Sequence, residues 1–318
     1  MMRVLITGAC GFIGSNVLNT FLNRFPECTF VNVDKLDYCA NEANVRPAEN
    51  YAFVYGDICH ASLLKFILET YAIDTILHFA AQTHVDNSFG NSLQFTRDNV
   101  VGTHTLLECC REYGKVQRFV HMSTDEVYGE VDLHHEGCHE EKSLLNPTNP
   151  YAATKAAAEF LCKAYHASFG LPIIIVRCNN VYGPNQYPEK LIPKFIHLLS
   201  NNQKCPIHGK GETRRNFIHA SDVASAFLHI VEKGEVNEVY NIGTCNEYSV
   251  LEVFRKLCAI LKPGENAADW MELVEDRAFN DFRYAVNSDK LRALGWSETA
   301  DFDKELYSLA TANGSDTK

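Results

Sequence analysis

The chain has 318 residues, 46% of them hydrophobic, with 29 Lys and Arg against 40 Asp and Glu and a formal net charge of −11. That composition supplies a sizeable core, and an acidic chain without a basic tract is ill suited to binding nucleic acid. The longest apolar runs, such as Leu171-Pro172-Ile173-Ile174-Ile175-Val176, are far too short to span a bilayer, and no basic-then-apolar leader opens the sequence. Twelve cysteines with no Cys-x-x-Cys pair are therefore expected to be reduced thiols of a cytoplasmic protein.

Arg3-Val4-Leu5-Ile6-Thr7 predicts a short buried strand. Gly8-Ala9-Cys10-Gly11-Phe12-Ile13-Gly14 is a glycine-rich turn, and a helix pattern runs from Ser15 to Phe25. Thr29 to Asp34 predicts a second strand, ending in an acid 20 residues past Gly14. These parts in this order make a dinucleotide-binding fingerprint. The first glycine permits the tight turn, the second lets the backbone approach a pyrophosphate, and the third lets helix pack on strand. The free N–H groups of the helix start suit the pyrophosphate. Asp34 should accept from the ribose hydroxyls and repel a 2′-phosphate, which favours NAD over NADP.

The alternation continues with a strand at Phe53 to Tyr55, a helix from about Ala61 to Tyr71, a strand at Thr75 to Phe79 and one long helix from about Ser92 to Tyr113. A strand at Arg118 to His121 leads into Met122-Ser123-Thr124-Asp125-Glu126-Val127-Tyr128-Gly129. Neighbours on a strand point to opposite faces, so the chain must turn for Asp125 and Glu126 to serve one substrate. Thr148 or Asn149 then caps a helix with Pro150 in its first turn, and Tyr151 and Lys155, four apart, share a face. A strand follows at Ile173 to Arg177. Repeated strand–helix units predict an α/β fold, a Rossmann-type doubly wound parallel sheet with its ligands beyond the carboxyl ends of the strands. The glycine loop, Asp34, Asp57, Ala80, Ala81, Ser123 to Glu126 and Cys178-Asn179-Asn180 all fall there.

From Tyr182 the rhythm breaks. A helix is expected at Leu191 to Ser200, short strands at Ile207 to Gly211 and Asn216 to Ile218, a helix from Ser221 and a strand at Glu238 to Gly243. The expected division is a dinucleotide-binding domain at 1–177 plus about 213–245, a smaller discontinuous C-terminal substrate lobe at about 178–212 plus 246–310, and a disordered tail at 311–318. Lys210, Arg214 and Arg215 form a basic cluster suited to a small phosphate ligand. His134-His135-Glu136-Gly137-Cys138-His139 has metal-ligand residue types, but no second ligand cluster accompanies it. It reads as a polar surface loop, and no metal is expected.

A hydroxyl residue, two carboxylates, a tyrosine and a lysine make a candidate active site. A free tyrosine titrates at about 10. A lysine ammonium and a bound nicotinamide cation would lower that value, so that a phenolate can take a proton from an alcohol while hydride leaves for NAD.

These motifs carry a resemblance. The glycine loop, the Ser/Thr ahead of Tyr-x-x-x-Lys, and Asn180-Val181-Tyr182-Gly183-Pro184 resemble the extended short-chain dehydrogenase/reductase superfamily. Ser123-Thr124-Asp125-Glu126-Val127-Tyr128-Gly129, His78 to Asp86 and Pro188-Glu189-Lys190-Leu191-Ile192-Pro193 look like its nucleotide-sugar 4,6-dehydratases. The likeness runs from about Arg3 to Trp296. The wording at Asp86 to Ser92 and at Asn280 to Tyr284 is most similar to the UDP-glucose 4,6-dehydratase module of plant rhamnose synthases, with dTDP-glucose 4,6-dehydratases close behind.

The resemblance implies a lyase that uses NAD, regenerates it each cycle and leads towards rhamnose-type deoxysugars. Tyr151 would deprotonate the glucosyl 4-hydroxyl as hydride passes to NAD. Glu126 would take the proton on carbon 5 while Asp125 protonates the departing 6-hydroxyl, and hydride would return to carbon 6. Thr124 would hydrogen-bond the 4-hydroxyl, and Lys155 would support Tyr151. The cofactor contacts implied are Gly8, Gly11, Phe12, Ile13, Gly14, Asp34, Lys35, Asp57, Ile58, Ala80, Ala81, Thr83, Ser123, Tyr151, Lys155 and Asn180. Those implied for UDP-glucose or dTDP-glucose are Thr83, Thr124, Asn180, Glu189, Lys190, Leu191, His208, Arg215, Asn241, Arg277 and Tyr284. Asp98 departs from the threonine usual in bacterial relatives near the cofactor. A 4-epimerase or decarboxylase on the same fold is the rival, and Asp125 discriminates, because an epimerase has no use for two adjacent acids. A regulatory protein with a dead site would show a broken Tyr or Lys. Apolar residues on more than one face of two helices (Leu106, Leu107, Cys109; Ala156, Phe160, Leu161) point to a homodimer.

Overall fold

The computed structural model describes residues 1–131, 137–275 and 283–312. Six strands come first: β1 (Arg3–Thr7), β2 (Thr29–Asp34), β3 (Tyr51–Tyr55), β4 (Thr75–His78), β5 (Arg118–Thr124) and β6 (Ile173–Cys178). β7 (Asn180–Tyr182), β8 (Cys205–His208) and β9 (Arg214–His219) leave that series, and β10 (Val239–Ile242) returns to it. The result is a seven-stranded, all-parallel sheet in the order β10-β6-β5-β4-β1-β2-β3. The expected doubly wound sheet is present. Its strand order reverses between β1 and β4, the place where such sheets bind ligands.

Helices cover both faces. α1 (Phe12–Arg24) lays Val17, Leu18 and Phe21 on one face. α2 (Ala61–Thr70) lays Leu64, Ile67 and Leu68 on the other. Three short helical pieces follow: α3 (Val85–Gly90), α4 (Ser92–Phe95) and, after a π turn at Thr96–Val101, α5 (Gly102–Tyr113). The single long helix expected from Ser92 is thus interrupted. α6 (Pro150–Phe169) starts as its sequence predicts, with Asn149 Oδ1 accepting from Ala152 N at 2.8 Å, and ends at Gly170, whose φ of 70° suits a residue without Cβ.

Beyond the sheet, α7 (Leu191–Ser200), α8 (Ala220–Lys233), β11 (Glu247–Ser249), α9 (Val250–Leu261), β12 (Met271–Val274), α10 (Asp289–Arg292) and α11 (Phe302–Ala312) complete the described chain. α8 packs on the sheet beside α1, whereas α7, α9 and α11 enclose a separate core around Phe195, Phe254, Leu257 and Phe302. β7, β9 and β11 form a three-stranded sheet, and β8 pairs with β12. β8 stops at His208, short of the expected Gly211, because Gly209 and Gly211 take φ of 56° and 70°, which no strand accommodates.

The faces and ends of these helices bear on two expectations. Leu106, Leu107, Cys109 and Ala156 are buried within their own chain, leaving Phe160, 59% exposed, as the outward apolar residue of the named set. Thr311 and Ala312, expected at the start of a disordered tail, instead finish α11, while the remainder of that tail lies outside the described residues. All twelve cysteines are free thiols.

Candidate active site

The carboxyl ends of the sheet and the separate lobe enclose a cavity of about 470 Å³. At one end is the glycine loop. Gly8 has φ of 75°, and a Cβ there would lie 2.6 Å from Ala80 Cα, so the loop after β1 closes directly on the end of β4. Gly14 is equally confined, since a Cβ on it would lie 2.6 Å from Gly8 O. No side chain caps α1, so its first N–H groups point at the cavity wall formed by Gly11, Phe12 and Ile13. Asp34, Lys35, Asp57 and Ile58 continue this wall. Asp34 accepts from Cys10 N (3.0 Å) and Leu36 N (2.9 Å). Ser123 Oγ is buried on the cavity lining with no hydrogen-bond partner among the described residues. An uncapped helix start, a glycine cradle, an acid at the ribose position and an orphaned hydroxyl together fit a dinucleotide such as NAD.

The centre holds the acids. β5 continues to Thr124, three residues past the expected end, and the chain then turns through a 3₁₀ segment at Asp125–Tyr128. That turn puts Asp125 and Glu126 on one cavity wall, as the two-acid reading requires. Asp125 accepts from Asn179 Nδ2 at 2.7 Å and from the Thr124 hydroxyl at 3.2 Å. Glu126 accepts from Asn149 Nδ2 at 3.0 Å. Burial pushes the Asp125 carboxyl up to about 6. Burial and then the charge of Asp125 push Glu126 up to about 7.

Tyr151 and Lys155 enter the same cavity from the first turns of α6. Lys155 Nζ donates to Met122 O at 2.6 Å, and burial lowers its pKa to about 8. Tyr151 and Thr124 share the cavity lining. Within the protein alone, burial and then the neighbouring Glu126 carboxylate push the Tyr151 phenol above its ordinary value, and Thr124 only partly offsets them.

Ala80 and Ala81 line the cavity beside the glycine loop, and Thr83, Asn180, Glu189, Lys190, Leu191, His208, Arg215 and Tyr284 line it as well. Lys190 Nζ donates to Thr83 O (3.2 Å), Glu189 accepts from Tyr38 Oη (3.0 Å), and His208 Nδ1 donates to Glu275 O (3.1 Å). The Arg215 guanidinium lies 4.9 Å over the Tyr284 ring. Arg214, the other arginine of the basic cluster, is engaged by Glu247 at 3.2 Å and Glu252 at 3.4 Å.

Asn241 does not belong to this site. It is fully buried on β10, where it accepts from Tyr128 Oη (2.8 Å) and donates to Asn287 O (3.1 Å), well inside the protein. Arg277 lies outside the described residues, as do His134, His135 and Glu136. His139 stacks on Tyr128, with ring centroids 4.8 Å apart. Asn149 and Asn179, which hold the two acids, are given no site role by motif reading. Asn149 is legible only as a helix cap, and Asn179 only as a strand-end neighbour of Asn180.

The family model described as GDP-mannose 4,6 dehydratase matches residues 5–308. The chain is 51% identical, over 96% of its length, to the trifunctional UDP-glucose 4,6-dehydratase/UDP-4-keto-6-deoxy-D-glucose 3,5-epimerase/UDP-4-keto-L-rhamnose-reductase of Arabidopsis thaliana, of which it covers 46%. It thus spans about half the length of that relative. It is 47% identical to the dTDP-D-glucose 4,6-dehydratase of Mus musculus, with 96% of this chain and 86% of that protein aligned. The crystal structure of a dTDP-glucose 4,6-dehydratase from Streptomyces venezuelae, solved with NAD bound, superposes with a TM-score of 0.91 at 38% identity, covering 99% of this chain and 98% of that one. The chain belongs to the family described as GDP-mannose 4,6 dehydratase.

Proposed function

We propose that this chain is a nucleotide-sugar 4,6-dehydratase. It converts an NDP-glucose, UDP-glucose by preference, to the 4-keto-6-deoxy sugar and water. Buried Asp125 and half-buried Glu126, within one cavity with Tyr151 and Lys155, carry this reading. Loss of water across carbons 5 and 6 needs one group to take a proton and another to give one, and two carboxylates on one wall provide both. A simple epimerisation at carbon 4 needs neither.

Bound NAD would accept hydride from carbon 4 and return it to carbon 6, so the reaction carries no net oxidation. Gly8 to Gly14, Asp34, Lys35, Asp57, Ile58, Ala80, Ala81 and Ser123 would hold it. Tyr151 takes the 4-hydroxyl proton, and Thr124, on the same cavity lining, orients that hydroxyl. Lys155 supplies positive charge near the phenolate. Glu126 removes the proton from carbon 5, made acidic by the ketone at carbon 4. Asp125 protonates the leaving 6-hydroxyl. Glu189, Lys190, Leu191, His208, Arg215 and Tyr284 bind the nucleotide diphosphate, with the planar Arg215 guanidinium suited to phosphate. The parallel sheet serves as the NAD-binding unit, and the lobe around Phe195 and Phe254 as the nucleotide-sugar unit. The outward Phe160 of α6 supports a homodimer through that helix.

Replacing Glu126 with Gln tests the roles. The first oxidation should proceed and elimination should stop, so reduced cofactor should build up on the protein and be seen by absorbance. Unaltered turnover would refute the role of Glu126.

A further inference from the structure

Asp98 stands on the π turn between α4 and α5 and lines the cavity near Asp34, Asp57 and Ile58. It is 5% exposed. Lys35 Nζ lies 2.6 Å from its Oδ2, Gln82 Nε2 lies 2.8 Å from the same oxygen, and Gln94 Nε2 is 2.9 Å from both oxygens. Asp37 adds a second acid, 3.4 Å from Lys35 Nζ and 2.7 Å from Gln82 Nε2. A charge-assisted bond of this length, on a carboxylate already buried and ordered by two amides, holds the ammonium in one place.

Lys35 directly follows Asp34, the acid at the ribose end of the fingerprint. A cation beside that acid is what a 2′-phosphate would use, since a dinucleotide site accepts NADP through a nearby positive charge. Asp34 accepts one backbone N–H group on each oxygen, which fixes the carboxylate and leaves acceptor sites for the ribose. The cation is present, but its charge is spent on Asp98 and Asp37. We propose that Asp98 is a specificity-determining residue for NAD over NADP, acting by holding Lys35 away from a 2′-phosphate. This rests on reading the cavity as an NAD site. It is discrimination by a built-in unfavourable element, the withheld cation, in addition to the favourable contact of Asp34 with the ribose.

The test measures binding of NAD and of NADP to cofactor-stripped protein by titration calorimetry, for the wild type, Asp98→Asn, Asp98→Thr and Lys35→Ala/Asp98→Asn. The wild type should bind NAD and reject NADP. Each single variant should raise NADP affinity relative to NAD by about tenfold or more, the scale of one recovered phosphate ion pair, and the double variant should lose that gain. Asp98→Thr keeps the test available should Asp98→Asn fold poorly. An unchanged ratio in a folded single variant overturns the proposal. So does a gain that survives removal of Lys35, because Asp98 would then act by its own repulsion. Failure of the wild type to bind either dinucleotide would instead overturn the NAD reading itself.

Discussion

Asp125 and Glu126 are held where a carboxylate is costly to ionise, and the cost has a sign. A carboxyl whose folded pKa is raised resists ionisation in the native state, so it weakens folding as pH rises from its unfolded value through its folded one. For Glu126 that window runs from about 4.5 to about 7. Glu126→Gln removes the ionisable group and keeps an acceptor for Asn149. The variant should therefore melt a few degrees above the wild type at pH 8 and match it near pH 4, as scanning calorimetry would read. A wild type that melts higher at pH 8 would contradict the burial argument. The same value sets activity. Glu126 must be ionised to act as base, so kcat/KM should fall as pH drops below about 7.

At the scale of elements, the glycine loop is the most constrained piece. A Cβ on Gly14 would meet Gly8 O at 2.6 Å and Ala9 Cα at 2.8 Å, both backbone atoms that cannot rotate away. Gly14→Ala should cost about 1–3 kcal/mol of stability and weaken NAD binding at least tenfold, measured by thermal melting and titration. Unaltered binding would mean the loop shifts freely. This loop is legible in the sequence because three glycines at fixed spacing between strand and helix have few other uses. The start of α6 is legible from Asn149 and Pro150 for similar local reasons. The π turn at Thr96–Val101 is not, because its apolar spacing reads as ordinary helix and its cause is tertiary. Asp98 and Asn99, adjacent in sequence, are both buried there, and Asn99 bonds Gln82 N at 2.7 Å and Thr154 Oγ1 at 3.0 Å. β12 escapes sequence reading because its pairing with β8 is long-range and its residues are at least partly exposed. Asn241 is misplaced by motif reading because its strand runs to the cavity side of the sheet, while its own side chain is claimed by Tyr128, a partner only the folded chain reveals.

For the whole molecule, two cores meet over one cavity, and one of them offers an outward apolar helix. Phe160 is 59% exposed on α6, and Val101 and Phe169 are 49% and 55% exposed. On the proposed homodimer, the wild type should sediment as a dimer and Phe160→Glu as a monomer in analytical ultracentrifugation. An unchanged mass would exclude α6 from the contact. The nucleotide is the finest distinction the cavity has to make, since uracil and thymine differ by one methyl group, worth about 1–3 kcal/mol in a pocket. The most direct measurement is to offer the purified protein UDP-glucose and dTDP-glucose separately and follow the sugar product by NMR. The account predicts a 4-keto-6-deoxy sugar, formed faster from UDP-glucose. A 4-epimer, or no product from either substrate, would contradict it.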